Sequence, residues 1–414
     1  MKPITIAIAG CGSRGQDTYA ACQERFSDKM KIVAAADIRP EKLNQMKEKY
    51  GLSDDQLFDS AESMLKAGKL AEIMIIATPD RLHYQQAMDA LKLDYHLLLE
   101  KPISPSAGEC RDIEKLAMER NREVVVCHVL RYTVFYQKLK ELVETVAGEV
   151  MSIQAIERVA HWHQAHSFVR GNWRSAEETT PMILAKCCHD MDILLWLAGK
   201  KCEKVSSFGS LGHFTSDHAP EGAALRCMDC KVENCPYNAV DFYVGKVKEG
   251  KLDWPVNVLT IDLTEEGVLE ALKTGPYGRC VYHCDNDVVD HQVVNLLLEG
   301  GATINFTMCA FTKECARQIR IMGTRAEIIG DMEKNTIEVL PFVGVKQLID
   351  VNTLTSDFSG HGGGDARMLE DLLDLVAGER TGGALTSISR SVESHLAALA
   401  AEESRLAGGK VIDI

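Results

Sequence analysis

The pattern of apolar and polar positions divides the chain into two stretches. Within residues 1–128, short apolar runs alternate with segments in which apolar residues recur every three or four positions. The runs include ITIAIAG, KIVAAAD, AEIMIIATP, HLLLEKP and EVVVCHV. Buried parallel strands read as continuous apolar runs, and strands that alternate with helices form doubly wound sheets. We therefore predict an α/β domain of the Rossmann type over residues 1–128.

The pattern changes after residue 128. HQVVNLLLEGGATINFTMCAF predicts a hairpin around Glu299-Gly300-Gly301, and RQIRIMG alternates polar and apolar residues as a half-exposed strand does. We therefore predict a second α/β domain over residues 129–414, built on a large, mostly antiparallel open sheet. We expect an insertion at about 213–284 and carboxyl-terminal helices at about 363–408.

Charge and composition narrow the class of protein. The 414 residues include 46 basic and 60 acidic side chains, a net charge of −14, which argues against binding to nucleic acid or to anionic membranes. No segment reaches the ~18 uninterrupted apolar residues of a membrane span, and the amino terminus has no secretory signal pattern. Many of the 14 cysteines lie in apolar runs. These features predict a cytoplasmic protein with reduced cysteines.

A glycine-rich motif follows the first predicted strand. Gly10, Gly12 and Gly15 form a G-x-G-x-x-G, and a helical segment comes next. In a strand–turn–helix context these glycines allow a tight turn, close approach of a pyrophosphate and close packing of the helix. The motif predicts a dinucleotide site, although a glycine turn in another α/β protein has the same pattern.

The acidic residue expected after such a motif is also present. Asp37 ends the second predicted strand, 22 residues after Gly15, where a carboxylate binds the ribose hydroxyls of NAD. Arg39 lies two residues later, and arginine at this point can hold the 2′-phosphate of NADP. The sequence favours NAD and leaves NADP open.

Three polar residues fall at the predicted carboxyl ends of strands: Thr78, Lys101 and His128. Ligands bind doubly wound sheets at that edge. Lys101 is the most informative, because the apolar run HLLL ends abruptly in Glu-Lys-Pro. We expect Lys101 to lie where cofactor and substrate meet.

The segment MILAKCCHDMDILLWLA predicts one amphipathic helix. Cys187, Met191, Leu194 and Ala198 form an apolar stripe, and a second face carries Lys186, His189 and Asp192. From spacing alone, this second face is typical of a polar surface exposed to solvent.

Aromatic and basic residues are concentrated in HWHQAHSFVRGNWR, residues 161–174. Aromatic rings with nearby hydrogen-bonding groups are typical of sugar sites. His163, His166 and Arg170 are therefore candidate substrate contacts. A surface loop anchored by its two tryptophans explains the segment equally well.

The predicted insertion contains Cys227-x2-Cys230-x4-Cys235. A C-x2-C pair with a third close cysteine resembles a structural zinc site that needs one more ligand. The alternative is three reduced thiols in a compact loop, and the spacing does not decide between the two.

The motifs AGCGSRG, ATPDRLH, LLLEKP, VLRY and CHDMDILLWL, in this order, resemble the glucose–fructose oxidoreductase, inositol dehydrogenase and MocA family. HGGGDARMLEDLL, SVESHLAALAAEESR and GGKVIDI are similar to its last helices and final strand. The resemblance implies a nicotinamide-binding domain and a second domain whose open sheet forms homo-oligomers, dimers or tetramers.

The resemblance also implies roles for individual residues. It places Lys101 between nicotinamide and substrate, and it assigns His189 and Asp192 to the catalytic helix. Relatives often carry an aspartate four residues before the histidine; here that residue is Ala185, and Lys186 becomes a further catalytic candidate. Expected cofactor contacts are Gly10, Gly12, Ser13, Arg14, Gly15, Asp37, Arg39, Thr78, Pro79, His83, Glu100 and Lys101. Expected substrate contacts are His128, Arg131, His163, His166, Arg170 and Asp190.

Together these features predict an NAD(P)-dependent oxidoreductase acting on a sugar, cyclitol or related polyol. Its partner is then a small molecule. Two alternatives remain: a glycoside-processing enzyme that oxidises a sugar carbon transiently, and a sensor that binds nicotinamide nucleotide without turnover. Fold alone does not separate them.

Overall fold

The computed structural model describes residues 2–414, and its first sheet is parallel with strand order β3-β2-β1-β4-β5-β6. β1 pairs on one side with β2 and on the other with β4, so the strand order reverses there. Ligands bind doubly wound sheets outside the carboxyl ends of strands at such a switch point. The strands are β1 Ile4–Ala9, β2 Met30–Ala36, β3 Leu57–Phe58, β4 Ile73–Ile76, β5 His96–Leu99 and β6 Val124–Val126.

Helices cover this sheet on both faces, as the alternating pattern predicted. A wide helical turn, Ser13–Tyr19, follows β1. The regular helices are α1 Pro40–Tyr50, α2 Ala61–Lys66, α3 His83–Lys92 and α4 Ala107–Arg120. Two apolar clusters lie on opposite faces of the strands, because alternate side chains of β1, β2 and β4 point to opposite sides.

The second sheet has nine strands in the order β14-β13-β12-β11-β7-β10-β9-β8-β15. Neighbouring strands are antiparallel except β7 and β10. The predicted hairpin is present as β9 and β10, and the α/β class with a mostly antiparallel second sheet is confirmed. The strands are β7 Val150–Arg158, β8 Cys202–Ser210, β9 His291–Leu298, β10 Thr303–Cys309, β11 Ala316–Gly323, β12 Ala326–Asp331, β13 Thr336–Pro341, β14 Gln347–Asp350 and β15 Ile412–Asp413.

Helices pack on one side of this sheet. Residues 213–284, all of them described, contribute two helices and short turns but no strand, and they bury small apolar clusters of their own. The remaining helices are α5 Val134–Leu142, α6 His161–His163, α7 Met182–Ala185, α8 Cys188–Ala198, α9 Ala239–Lys248, α10 Glu265–Thr274, α11 Ser359–Val376 and α12 Ile388–Leu406. Within residues 2–414, no helix combines the length and apolar character needed to cross a bilayer.

The last two helices join the two sheets. Met368, Leu369 and Leu372 of α11 are buried in the apolar cluster of the first sheet, and Val392 of α12 is buried in the cluster on its other face. α12 also packs against β8 and α8. Helix α12 therefore connects the helix that carries the candidate catalytic residues to both sheets.

Candidate functional site

The turn after β1 has the geometry that its glycines predicted. Gly10 adopts φ +89°, and a Cβ there would lie 2.4 Å from the carbonyl oxygen of Ala77. A Cβ on Gly15 would lie 1.9 Å from the carbonyl oxygen of Gly10. At Gly12 the nearest atom to an added Cβ is the Arg39 guanidinium at 3.8 Å. The turn is thus closed on its protein side and open at Gly12, beside the exposed Ser13, which fits a pyrophosphate.

Asp37 lies directly after β2 and is buried beside this turn. Its carboxylate accepts a 2.7 Å hydrogen bond from the Cys11 amide and a 2.9 Å bond from the Arg39 amide. The Arg39 guanidinium folds back onto it at 3.1 Å, with half of the arginine side chain still exposed. Both residues therefore lie beside the turn, where an adenosine ribose would be bound.

Arg14 points into the protein rather than toward the open side of the turn. Its guanidinium lies 2.6 Å from Glu100 and 2.6 Å from Asp365, and it also contacts the Tyr19 hydroxyl. Burial alone would raise the pKa of Glu100, but the charges of Arg14 and Lys101 lower it. Arg14 and Glu100 thus link the turn to the end of β5 and to helix α11.

The residues after β4 support the loop around the site. The His83 ring bridges the carbonyl oxygens of Pro102, at 2.7 Å, and Thr78, at 2.8 Å. The Thr78 hydroxyl donates to Gln86. Pro79 follows Thr78 and precedes a short turn. His83 therefore fixes the loops after β4 and β5 relative to each other.

Lys101 follows β5, as its place after the HLLL run predicted. Its backbone amide donates to Glu100, and its ammonium donates a 2.9 Å hydrogen bond to the carbonyl oxygen of Ala185. Lys101 is only partly buried. This contact places the lysine where the first sheet meets the end of α7.

The predicted catalytic helix is broken and buried. It consists of α7 and α8, separated at Lys186 and Cys187, and every residue of α8 except Trp196 is buried. His189 is 7% exposed and Asp192 1% exposed. The solvent-exposed polar face that the spacing favoured is therefore wrong, because the side chains of α8 pack between two domains.

His189 and His128 form the centre of this buried region. Their ring centroids are 5.8 Å apart. Burial lowers the pKa of His189 well below its usual value, and the nearby charge of Lys101 acts in the same direction. Among residues 2–414, Nδ1 of His189 and both ring nitrogens of His128 are buried without a hydrogen-bond partner. These are neutral imidazoles with free hydrogen-bonding capacity.

A charged cluster lies next to them. Glu157 of β7 is within 3.2 Å of the Lys186 ammonium and 3.0 Å of the Arg317 guanidinium, which also bonds Asp190 at 2.8 Å. Burial and the Glu157 carboxylate raise the pKa of Asp190 to about 6 against the charge of Arg317. Burial opposes the charge of Lys186, but Glu157 raises its pKa, so it stays a cation. The Glu157 carboxylate thus lies beside Lys186, the residue that follows Ala185.

Asp192 forms a separate ion pair with Arg131. Its two carboxylate oxygens accept hydrogen bonds of 2.7 and 2.6 Å from the Arg131 guanidinium, and both side chains are buried. Arg131 also donates to the carbonyl oxygens of Leu385 and Arg390. In this arrangement Asp192 and Arg131 anchor α8 to the first turn of α12 and to the segment before it.

The aromatic segment 161–174 is mostly helical and largely buried instead of a surface loop. His163 packs against Trp162 and Trp254, with ring centroids 5.5 and 4.9 Å away. His166 instead bonds the Tyr243 hydroxyl, and Arg170 donates to backbone carbonyls and to the Cys227 sulfur. Of the three predicted contacts, only His163 lies beside the Lys186 cluster, where its pKa is lowered by burial and by Lys186.

The cysteine motif lies in the insertion. Cys227, Cys230 and Cys235 line one small cavity with Cys280, and all fourteen cysteines are unpaired. No group of three or more histidine, cysteine or acidic side chains in residues 2–414 is arranged to hold a metal ion. The prediction of a structural zinc site is therefore not supported.

Four residues at the site were missed by the sequence analysis. Glu157 and Arg317 come from strands of the second sheet, while His361 and Asp365 come from α11. The His361 ring centroid is 6.1 Å from that of His189. HGGGD, residues 361–365, contains the last two of these residues, but as a pattern it indicates only the family resemblance.

Family models match both parts of the chain. Residues 4–128 match the GFO_IDH_MocA oxidoreductase family with an NAD-binding Rossmann fold, and residues 140–401 match the family's carboxyl-terminal α/β domain. The chain belongs to this oxidoreductase family. It is therefore an enzyme of the oxidoreductase class, as the motifs predicted.

Individual relatives are more distant. The putative oxidoreductase YteT of Bacillus subtilis is 25% identical over 91% of this chain and 92% of its own length. D-glucoside 3-dehydrogenase of Escherichia coli is 27% identical over 36% of this chain and 42% of its own length. An inositol dehydrogenase homologue of Azotobacter vinelandii, solved with NADH and myo-inositol, has a TM-score of 0.70 at 15% identity, covering 100% of this chain and 98% of that chain. That structure supports the fold.

Proposed function

We propose that the protein transfers hydride between NAD and a CH–OH group of a sugar, cyclitol or related polyol. The observation that carries this proposal is the meeting of Lys101 with the α7–α8 segment at the carboxyl edge of the first sheet. Dinucleotides bind at this edge, and the turn around Gly12 is open to a pyrophosphate. Bound NAD would supply the hydride acceptor.

The side chains around this edge supply the remaining chemistry. The Lys101 ammonium can donate a hydrogen bond to the substrate oxygen and stabilise negative charge as the O–H proton leaves. His189 is neutral, because its pKa is depressed, and it can accept that proton. In this proposal, Lys186 and Arg317 hold the carboxylates of Glu157 and Asp190 in place for further hydroxyl groups.

The neighbouring rings favour a carbohydrate. Trp254 is 42% exposed and lies beside His163 and Trp162, while the Lys246 ammonium lies 5.3 Å from the Trp162 ring centre. Aromatic faces bind the C–H faces of sugar rings, and polar neighbours fix the hydroxyls. We infer that this aromatic group contacts the part of the substrate that lies outside the reacting carbon.

NAD is the proposed cofactor, with NADP as the weaker alternative. Asp37 presents a carboxylate beside the turn, which favours ribose hydroxyls and repels a 2′-phosphate. Arg39 is paired with Asp37 and is not free to bind that phosphate.

The test is a substrate panel. Purified protein is mixed with NAD or NADP and with sugars, methyl glycosides and cyclitols, and reduced nicotinamide is followed by absorbance. We expect reduction with NAD and at least one polyol. Release of an aglycone without net reduction would indicate the glycoside-processing alternative. Nucleotide binding without either reaction would contradict the proposal and favour a sensor.

We also propose that the second sheet forms a homo-oligomer. Exposed apolar side chains lie at one edge of this sheet: Phe342, Val343 and Val345 in the turn between β13 and β14, and Leu348 on the edge strand β14. Light scattering coupled to gel filtration would give the mass in solution. A monomer of 45.7 kDa at micromolar concentration would contradict this proposal.

A further inference from the structure

Residues 360–363 form an irregular segment at the start of α11. Gly360, His361, Gly362 and Gly363 all have positive φ, and the regular helix begins after them. A Cβ on Gly364 would lie 2.4 Å from the carbonyl oxygen of Val129, so this segment packs directly against the chain after β6. The segment thereby carries a histidine into the candidate site from a distant part of the sequence.

A chain of contacts fixes this histidine. Nδ1 of His361 lies 3.0 Å from the Asp365 carboxylate, and the other oxygen of Asp365 lies 2.6 Å from the Arg14 guanidinium. Burial alone would raise the pKa of Asp365, but the hydrogen bond to His361 and the charges of Arg14 and His361 lower it. Asp365 is therefore a carboxylate that accepts the Nδ1 proton of His361. This leaves Nε2 as the nitrogen that exchanges protons.

The proposed reaction needs such a group. Oxidation of an alcohol breaks the C–H bond, whose electron pair leaves as hydride, and the O–H bond, whose proton goes to His189. His189 is 7% exposed, and its surroundings disfavour the charged imidazolium. The proton must therefore leave His189 during each turnover. The His361 side chain is 43% exposed, so its ring reaches both the buried histidine and water.

We propose that His361 passes the substrate hydroxyl proton from His189 to solvent. This inference rests on the proposed function and adds a proton-transfer residue to it. The ring centroids are 6.1 Å apart, a separation that one water molecule can bridge between a nitrogen of each ring. The proton leaves His189 as Nε2 of His361 accepts it, and His361 then releases it to bulk water. In the reducing direction the same steps run backward.

The charged groups around His361 and His189 come from several helices, strands and loops. Asp365 faces His361 from its own helix, and Arg14 lies behind Asp365. Besides burial, Lys101, His128, His361 itself and Arg317 lower the pKa of His189. A carboxylate thus faces His361, whereas cationic groups face His189.

Two variants test the relay. His361→Ala and His361→Gln are expected to lower kcat for polyol oxidation by about 10²-fold, with KM for the polyol and NAD affinity unchanged. Added imidazole should restore His361→Ala by at least tenfold but leave His361→Gln low, because only alanine leaves room for it. The solvent isotope effect on kcat should rise in both. Wild-type kcat in His361→Ala, or a low kcat that imidazole does not restore, would overturn the inference.

His291→Gln is the matched control. His291 also pairs with a buried carboxylate, Asp290, at 2.7 Å, but it lies on β9 of the second sheet. We expect its kcat and isotope effect to match wild type.

NMR of [15N]histidine-labelled protein separates this inference from the proposed function. His361 should carry its neutral proton on Nδ1, and its titration should shift the resonances of His189. If no substrate turns over, the proposed function fails, but these spectra still show whether His361 and His189 interact. A neutral His361 protonated on Nε2, or one whose titration leaves His189 unchanged, would overturn the relay even if turnover is observed.

Discussion

The turn around Gly12 and helix α8 both carry polar side chains at the candidate site, yet their hydrogen-bonding atoms are satisfied differently. Beside the turn, protein groups pair with one another: Arg14 with Glu100 and Asp365. Around α8, ring nitrogens of His128 and His189 are buried without partners in the described chain.

This difference distinguishes residues that hold the structure around the site from residues that can bind a ligand. A buried polar atom without a partner costs about 1–3 kcal/mol, so such atoms are rare unless water or a ligand completes them. A side chain whose donors and acceptors are mostly used by the protein holds the structure around a site, whereas one with unused donors or acceptors is free to contact what binds there. Lys101 belongs to the second kind, because its ammonium has three donors and gives one to Ala185. By this criterion, we propose that His189 and His128 contact substrate, whereas Arg14 and Asp192 position the elements around it.

The largest effect is expected on the binding side of the comparison. Lys101→Ala should lower kcat/KM by about 10³-fold, because it removes the cation that stabilises charge on the substrate oxygen. NAD affinity, measured by fluorescence titration, should change little. Lys115→Ala on exposed α4 is the control. Normal turnover in Lys101→Ala would show that Lys101 belongs to the supporting set.

Removing a side chain that positions the elements around the site should lower the stability of the folded protein. Asp192→Ala leaves the buried Arg131 guanidinium without its carboxylate, and we expect a loss of about 3–5 kcal/mol in the free energy of unfolding. Urea unfolding followed by circular dichroism measures this loss. Glu141→Ala on the surface of α5 should have little effect. An Asp192→Ala protein of normal stability but low activity would move Asp192 to the binding set.

Acid should weaken the fold through its buried neutral histidines. Burial, together with Arg170, lowers the pKa of His166 to about 3, and burial with His128 lowers that of His395 to about 3. In the unfolded chain a histidine has its usual pKa of about 6.5. Below that pH, both rings bind a proton in the unfolded chain but stay neutral in the folded protein. Each ring should therefore reduce the free energy of unfolding by about 1.4 kcal/mol per pH unit from about pH 6 toward pH 3.

His166→Phe tests this dependence. It removes one titrating ring and keeps an aromatic side chain against Tyr277. Urea midpoints at several pH values should show a shallower loss of stability with acid than wild type shows, whatever the stability at pH 7.5. An unchanged slope would mean that His166 does not contribute.

The smallest effect concerns cofactor choice. Asp37→Ser should free Arg39 and raise the ratio of kcat/KM for NADP to that for NAD by about tenfold. The double variant Asp37→Ser/Arg39→Ala should lose that gain. Equal ratios in the single variant and wild type would show that Asp37 does not select the cofactor.

Local motifs explain which parts of the structure could be predicted. The parallel sheet, the turn at Gly10 and the positions of Asp37 and Lys101 follow from short segments in which pattern and chemistry agree. Helix α8 could not be oriented, because three-residue spacing is the same for an exposed polar face and a buried one. Glu157, Arg317 and His361 could not be found, since folding alone brings them to His189.

Helices α11 and α12 have a consequence for how the chain is made. The strands of the first sheet leave the ribosome long before Met368, Leu369 and Val392, which complete the sheet's apolar clusters and follow the whole second sheet up to β14 along the chain. Until then, part of that apolar surface has no native cover. A nascent chain of this protein should therefore engage chaperones through its amino-terminal strands and gain protease resistance only after about residue 400 has been released.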